Sequence, residues 1–294
     1  MPKKSKVEPV EILITPAKLA SLSRRREWVE HTWEGDTIEI VALSDIHIGD
    51  RCCNYKLLDK TIAHILAAEN RFVIVNGDII NMATSRSPSS VYEQHLNNDE
   101  QFSLAYHTLE PIKHRILCLT VGNHENRAVK EVGLNVTQIL CAMLDVPYCG
   151  PSAITLLRVG TKKGKSATGN TPGQIYTIFT HHTTGGGGYT KGSKINRVDL
   201  LNKIFPTADV YIGGHAHGRG HAEDKYKDFD RRSKRVIYRP RLYFASAGFV
   251  NYPDSYAEGM QLAPAPLGPT IITFSGSDAF STWDRNRIGF YYIS

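Results

Sequence analysis

Apolar residues gather in short runs between polar turns, and their spacing alternates between strand-like and helix-like along the first half of the chain. Thr37 to Leu43 (TIEIVAL) predicts a buried strand. Tyr55 to Asn70 predicts a helix with Leu58, Ile62, Ile65 and Leu66 on one face. Phe72 to Val75 is a second apolar strand, and Gln101 to Lys113 a second helix. Arg115 to Val121 is a third strand, and Val132 to Leu144 a third helix. This β-α-β-α alternation argues for an α/β fold whose sheet is largely parallel in this half. The second half reads differently. Ile154 to Val159 and Gln174 to Thr180 flank a Lys/Gly/Ser/Thr loop and predict a hairpin. A helix near Lys194 to Phe205 and a strand at Asp209 to Ile212 follow. Val236 to Tyr238, Leu242 to Ala245 and Thr270 to Phe274 add further strands.

Residues 1–35 read as a basic extension, in which Pro16 to Trp28 suits a short amphipathic helix carrying Arg24-Arg25-Arg26 near its end. Residues 36–294 read as a single domain, with no repeat and no linker that would divide them. The chain has 294 residues and is 41% hydrophobic, enough for a large core. Its 35 Lys and Arg against 29 Asp and Glu leave a charge of +6, which suits a polyanionic partner. No apolar run reaches the roughly 18–20 residues of a membrane span, and the basic start lacks an apolar leader segment. A soluble, cytoplasmic protein with no membrane partner is the expectation. The five cysteines contain no C-x-x-C spacing, so neither a disulfide framework nor a zinc knuckle is indicated. Cys118 and Cys141 are expected to be buried, and Cys52-Cys53 to be a surface or half-buried pair.

Five segments at the carboxyl ends of predicted strands carry the candidate chemistry. They are Ser44-Asp45-Ile46-His47, Asn76-Gly77-Asp78, Gly122-Asn123-His124-Glu125, Thr180-His181-His182, and Gly213-Gly214-His215-Ala216-His217. Ligands of open α/β sheets gather at strand carboxyl ends, so all five can converge on one crevice. Asp, Asn and His supply the oxygen and imidazole donors that suit manganese, iron, zinc or nickel. In an extended chain residues i and i+2 point the same way, which would let Asp45 and His47 reach one metal. Glycines 77, 122 and 214 suit close turns beside a metal or phosphate. Singly each motif is unremarkable; the set in this order is not.

That order, D-x-H, G-D, G-N-H-[DE], H, G-H-x-H, resembles the signature of the calcineurin-like metallophosphoesterases from Asp36 onwards. The resemblance implies a four-layered αββα sandwich with two mixed sheets and a binuclear centre of two divalent ions, manganese foremost, with iron, zinc or nickel as alternatives. By motif, Asp45, His47, Asp78 and His217 would hold one ion. Asp78, Asn123, His181 and His215 would hold the other, with Asp78 shared and catalytic. The adjacent pair at the fourth motif leaves a choice. The usual pattern of apolar strand, small residue, ligand favours His181, leaving His182 to face substrate or solvent. His124 matches the histidine near the leaving group, and a carboxylate such as Glu125 would orient it. Arg127 and Asn81 are further candidates near the substrate.

The implied reaction is hydrolysis of a phosphate ester by a hydroxide held between the metals. The arginines that accompany these motifs in protein phosphatases are missing, because those positions read Ile79 to Ala83 and Val121. The Ser-Asp-Ile-His-Ile-Gly start is similar to nuclease and phosphodiesterase members, and Ser255 to Glu258 with Ala263 to Gly268 resembles phage-type ones. A phosphodiester in DNA, RNA or a nucleotide is the expected substrate. Broad phosphomonoesterase activity, or a metal-bound nucleic-acid-binding subunit with little turnover, are the alternatives. Gly160 to Ser166 has the wrong glycine spacing for a phosphate-binding loop, and Gly185 to Gly188 lacks the G-K-[ST] element that such a loop needs. The glycine run could cover the site or merely connect. Basic clusters at Arg24 to Arg26, Lys162 to Lys165 and Arg231 to Arg241 would make a phosphate-tracking groove if they faced the crevice.

Overall fold

A computed structural model describes residues 24–87, 91–160, 162–163, 170–171, 173–184, 190–259, 261–276 and 288–293. In chain order its strands are β1 (Trp28–Trp33), β2 (Thr37–Leu43), β3 (Arg71–Asn76), β4 (Ile116–Thr120), β5 (Tyr148–Gly150), β6 (Ser152–Val159) and a short pair, β7 (Lys162–Lys163) and β8 (Asn170–Thr171). Then come β9 (Gln174–His181), β10 (Val210–Gly213), β11 (Gly220–Asp230), β12 (Arg235–Ala245), β13 (Thr270–Ser275) and β14 (Ile288–Tyr292). The helices are α1 (Tyr55–Leu66), α2 (Asn98–Leu109), α3 (Glu125–Val132), α4 (Val136–Leu144), α5 (Lys191–Asp199) and the single turn α6 (Tyr256–Gly259).

Two six-stranded sheets stack face to face. One runs β14-β13-β2-β3-β4-β5 and the other β1-β6-β9-β10-β12-β11. Strands β2 to β5 are parallel, as the alternation predicts, while β13 and β14 extend that sheet in antiparallel fashion. The predicted hairpin is β6 with β9. In β2, Ile38, Ile40 and Ala42 point into the layer between the sheets, against Tyr176, Ile178, Ile212 and Phe244. Val41 and Leu43 point the other way, into a core shared with α1, α2 and α4. A strand buried on both faces is apolar throughout, which is why it reads as an uninterrupted run. A third core, with Phe179, Tyr211 and Tyr243, lies under α5. The layers are therefore helix, sheet, sheet, helix, the α/β sandwich expected.

Several elements differ from the reading of the sequence. The expected helix does not reach Trp28: Trp28–Trp33 is a strand that pairs in parallel with β6 at the sheet edge, with Val29 in the inter-sheet core. Arg26 N–H also donates to Tyr148 O (2.9 Å), so the sandwich begins before residue 36 and the boundary at residue 35 is corrected. Arg24 to Glu27 of the expected N-terminal helix are not helical either, and its residues 16–23 lie outside the described residues. In α1, Leu66 is exposed, and Leu57 and Thr61 are buried in its place. Residues 125–144 form two helices broken at Gly133, whose φ of 71° ends α3. All five cysteines are buried thiols, Cys52 and Cys53 included. None of the described helices is long and apolar enough to cross a membrane.

Asp209, at the entry to β10, ties three strands together. Its carboxylate accepts Thr177 N–H (2.8 Å), its own N–H donates to Thr177 O (2.9 Å), and its carbonyl accepts Leu242 N–H (2.9 Å). Burial pushes its pKa from 3.8 to about 6, against the opposing Thr177 hydrogen bond and Arg239 charge. A raised acid pKa disfavours the folded state once the group is ionised in both states. Asp209→Asn keeps an acceptor for Thr177 and removes that charge. It should stabilise the fold by about 1–3 kcal/mol above pH 6, a gain that disappears below about pH 4. Urea unfolding at pH 4 and pH 8 checks this; equal effects at both would refute it.

Candidate metal centre

The candidate ligands leave their strands within a few residues of the carboxyl ends and meet at the seam between the two sheets. Asp45 follows β2, Asp78 follows β3, Asn123 follows β4, His182 follows β9, and His215 and His217 follow β10. Asp45, His47, Asp78, His215 and His217 all have left-handed backbones, with φ of 55°, 55°, 50°, 71° and 45°. Each such non-glycine residue costs on the order of 1–3 kcal/mol and persists only when its surroundings hold it. Hydrogen bonds do so here: Asp45 N–H donates to Gly77 O (3.1 Å) and His47 N–H to Asp78 O (3.0 Å). His215 N–H donates to the Asp45 carboxylate (3.0 Å). Asp45 and His47 therefore share a direction because the chain turns at both, not because the strand continues. Gly122 has a separate reason to be glycine. A β-carbon there would run into the backbone nitrogen and carboxylate of Asp78.

The ligand atoms form three groups among the described residues, the third (His47, Asp78 and His124) sharing a residue with each of the other two. In the first, Asp45, His47 and His217 lie within 4.8 Å of one another. His47 Nε2 is 3.0 Å from His217 Nε2, and His217 Nε2 is 3.3 Å from Asp45 Oδ1. In the second, Asp78, His182 and His215 lie equally close. Asp78 Oδ2 stands between the groups, 3.9 Å from His47 Nε2 and 3.1 Å from His182 Nε2.

The fourth-motif choice is corrected. His182, not His181, enters the cluster. Its Nδ1 donates to Asn76 O (2.7 Å), which leaves Nε2 facing Asp78 and Asn123 Oδ1 (3.1 Å). His181 is the last residue of β9 and shares the face of Phe179, toward α5; its Nδ1 is buried without a hydrogen bond. Asn76 was not singled out in the sequence, although its carbonyl also lies 2.9 Å from Ser44 Oγ, whose single proton is shared between it and Asp45 Oδ2 (2.5 Å). Only its place beside Gly77-Asp78 hinted at such a role.

Around His124 the picture also changes. Its Nδ1 donates to Asn81 O (2.5 Å), so Asn81 acts through its backbone, and Nε2 lies 3.0 Å from Arg127 Nη2. Nε2 is 3.8 Å from Asp78 Oδ2. Arg127 is held in turn by the carbonyls of Asn81 (3.0 Å) and Met82 (3.3 Å). Glu125 does not orient His124, as had been expected. Its buried carboxylate accepts the N–H groups of Asp78 (3.0 Å), Ile79 (2.7 Å), Ile80 (3.2 Å) and Gly122 (3.0 Å). Residue 125 opens a helix, and successive helical side chains diverge by about 100°, so neighbours in sequence part company. Burial, and then the Asp78 charge, push its pKa up to about 7.

Two fully buried carboxylates, Asp45 and Asp78, are both held well below the usual range although burial acts to raise them. His182 is the leading neighbouring charge in each case. Burial acts to lower His182 itself, but the Asp78 and Asp45 charges outweigh it and bring the ring to about 10. Burial instead keeps His47, His124 and His215 low, His124 at about 4. The two carboxylates thus carry more negative charge than the one protonated ring balances, and Asp78 Oδ2 is buried with no hydrogen bond beyond the His182 contact (3.1 Å). An orphaned carboxylate oxygen among imidazole nitrogens and an amide oxygen fits divalent ions. Asp45, His47 and His217 suit one, and Asn123, His182 and His215 another, with Asp78 shared.

In the third basic cluster, two arginines are taken up in ion pairs. Arg239 pairs with Asp228 (2.7 Å) and Arg241 with Asp224 (2.7 Å). Arg235 stands at the start of β12, ten residues before Ala245 beside the site, roughly 33 Å away at strand rise. The Gly185 to Gly188 run and Lys165 lie outside the described residues.

Solved structures with a similar layout include the calcineurin-like phosphoesterase YfkN from Bacillus subtilis, 13% identical, covering 88% of this chain and 91% of that one at a TM-score of 0.39. A metallophosphoesterase from Sphaerobacter thermophilus is 11% identical, covering 87% of this chain and 89% of that one, at a TM-score of 0.38. No curated protein is significantly similar in sequence. The model of the calcineurin-like phosphoesterase family matches residues 38–219, from the first buried residue of β2 to just past the last histidine motif. The chain belongs to the calcineurin-like phosphoesterase family.

Proposed function

We propose that this phosphoesterase cleaves a phosphodiester, in a nucleic acid or a nucleotide, using two divalent ions of which manganese is the first choice. The observation that carries this reading is the pairing of His124 Nε2 with the Arg127 guanidinium beside Asp78. The bound ions would polarise the phosphoryl group and acidify the attacking water. Arg127 supplies one fixed positive charge, which matches the single negative charge of a diester. The paired arginines that would clamp a monoester dianion are missing at Ile79 to Ala83 and Val121. The nuclease-like first motif and the charge of +6 support the same reading.

His124 has its Nδ1 proton committed to Asn81 O, so Nε2 is the nitrogen that meets the leaving oxygen. In the free site burial favours the neutral ring, with Arg127 lowering it further against Asp78. A phosphate anion beside Nε2 would favour the protonated form that donates. His124→Ala should slow diesters with poor leaving groups by about 10²–10⁴-fold. Activated aryl diesters, which need little protonation, should lose far less. The measurement is kcat/KM for both classes in metal-reconstituted protein. A marked preference for monoesters over every diester, under several divalent ions, would overturn the assignment. Binding of nucleic acid without turnover would favour a role as a binding subunit.

A further inference from the structure

Helix α5 covers β10 and the root of the β11–β12 hairpin, and it touches both histidine-bearing loops. Arg197 donates to Thr184 O (2.8 Å), in the chain leaving His182. One turn earlier, Lys194 lies along Gly218, the residue after His217. A side chain at 218 would collide with Lys194 Cδ, Cε and Nζ, so this glycine leaves the room that Lys194 fills. Among the described residues no carboxylate or carbonyl pairs with the Lys194 ammonium. Burial lowers its pKa and no neighbouring charge opposes that. A half-buried ammonium without a partner is costly, and lysine is rarely left so. Its neighbours on α5 are otherwise employed: Arg197 is bound to Thr184, and Val198 and Ile195 pack into the core beneath.

The position of Lys194 relative to Arg127 is informative. Arg127 belongs to α3, which follows β4 of one sheet, and is bound to His124 and to the Asn81 and Met82 carbonyls. Lys194 belongs to α5, over the other sheet. The site lies on the seam between them, where His47 from one sheet meets His217 from the other. Arg127 is thus held beside His124, while Lys194 lies against the chain that leaves His217. One is committed beside the leaving-group histidine, and the other is unoccupied.

We propose that Lys194 holds a second phosphate of the substrate, next to the scissile one. The site then selects phosphodiesters flanked by another phosphate, whether along a single nucleic-acid strand or in the polyphosphate chain of a nucleotide. This rests on the phosphodiesterase reading above and narrows it.

The test uses the metal-loaded protein and its Lys194→Gln and Lys194→Arg variants. Binding probes are a phosphorothioate-linked single-stranded oligonucleotide and a nucleoside triphosphate analogue with an imido bridge. Bis(4-nitrophenyl) phosphate, a diester with no second phosphate, is the hydrolysis probe. Lys194→Gln should weaken one or both binding probes about tenfold, a difference of about 1.4 kcal/mol. Loss of aryl diester hydrolysis should be several-fold smaller, and Lys194→Arg should restore most of the binding. If the oligonucleotide is the probe affected, its log–log salt slope should also fall by about one. The probe that responds identifies the source of the second phosphate. Unchanged binding of both probes, or an equal loss on the aryl diester, would overturn the role of Lys194. A wild-type protein that hydrolyses no aryl diester under any divalent ion would count against the phosphodiesterase reading, while the binding arm still reports on Lys194.

Discussion

Replacing His182 with alanine should remove the second metal ion and with it nearly all hydrolysis, whereas His181→Ala should leave both almost intact. His182 Nε2 lies 3.1 Å from both Asp78 Oδ2 and Asn123 Oδ1, and its other nitrogen is fixed by Asn76 O. No other imidazole stands in that position. Losing a hydrogen bond that merely supports a ligand costs roughly 10–100-fold in metal affinity, and losing the ligand itself should cost more. His181 presents only its carbonyl to this side, where it accepts Asn76 Nδ2 (3.3 Å), and alanine keeps that carbonyl. Metal content per chain and metal-dependent hydrolysis of an aryl diester, measured on both variants, decide the matter. Retention of two ions by His182→Ala, or their loss from His181→Ala, would return the assignment to His181.

That mistaken choice shows where the sequence stops being informative. In β9 the residues facing the second sheet are Tyr176 and Ile178, and parity continues through Thr180 to His182. The parity was present in the sequence but could not be read, because Phe179 on the opposite face is buried too. A strand with apolar residues on both faces carries no sign of which face is which. The same double burial made β2, β3 and β4 easy to find as runs, and with them the ends where Asp45, Asp78 and Asn123 sit. Strand β11 failed for the converse reason. Its residues, GHAEDKYKDFD, are largely exposed or half-exposed on both faces and densely charged, as suits an edge strand that must not pair further. Lys194 left no trace either, since a lysine in a polar helix looks like any solvated one. Its meaning comes from Gly218, 24 positions away in the chain.

Glu125→Ala should be the most damaging single change outside the ligand set. One carboxylate accepts four backbone N–H groups, at Asp78, Ile79, Ile80 and Gly122. These belong to the turns that follow β3 and β4, so Glu125 fastens the loop bearing the shared ligand to the loop bearing Asn123. All four donors are buried, and alanine offers none of them a partner. An unsatisfied buried N–H costs about 1–3 kcal/mol. Even if water or loop movement recovers half of them, the loss is several kcal/mol against a total stability of about 5–15 kcal/mol. The loops would also lose the constraint that keeps Asp78 in its left-handed turn, φ 50°. Reduced metal affinity should therefore accompany reduced stability. Glu125→Gln tests the same idea more gently. Its amide oxygen can still accept the two donors that share one carboxylate oxygen, while its NH2 must face the other two, so it should lose roughly half as much. Denaturant unfolding with and without added metal gives both quantities. If Glu125→Ala unfolds at the wild-type midpoint and binds metal normally, the four hydrogen bonds do not fasten the loops, and Asp78 must be held by the packing of Gly122 and by the N–H groups of His47 (3.0 Å) and His124 (2.9 Å).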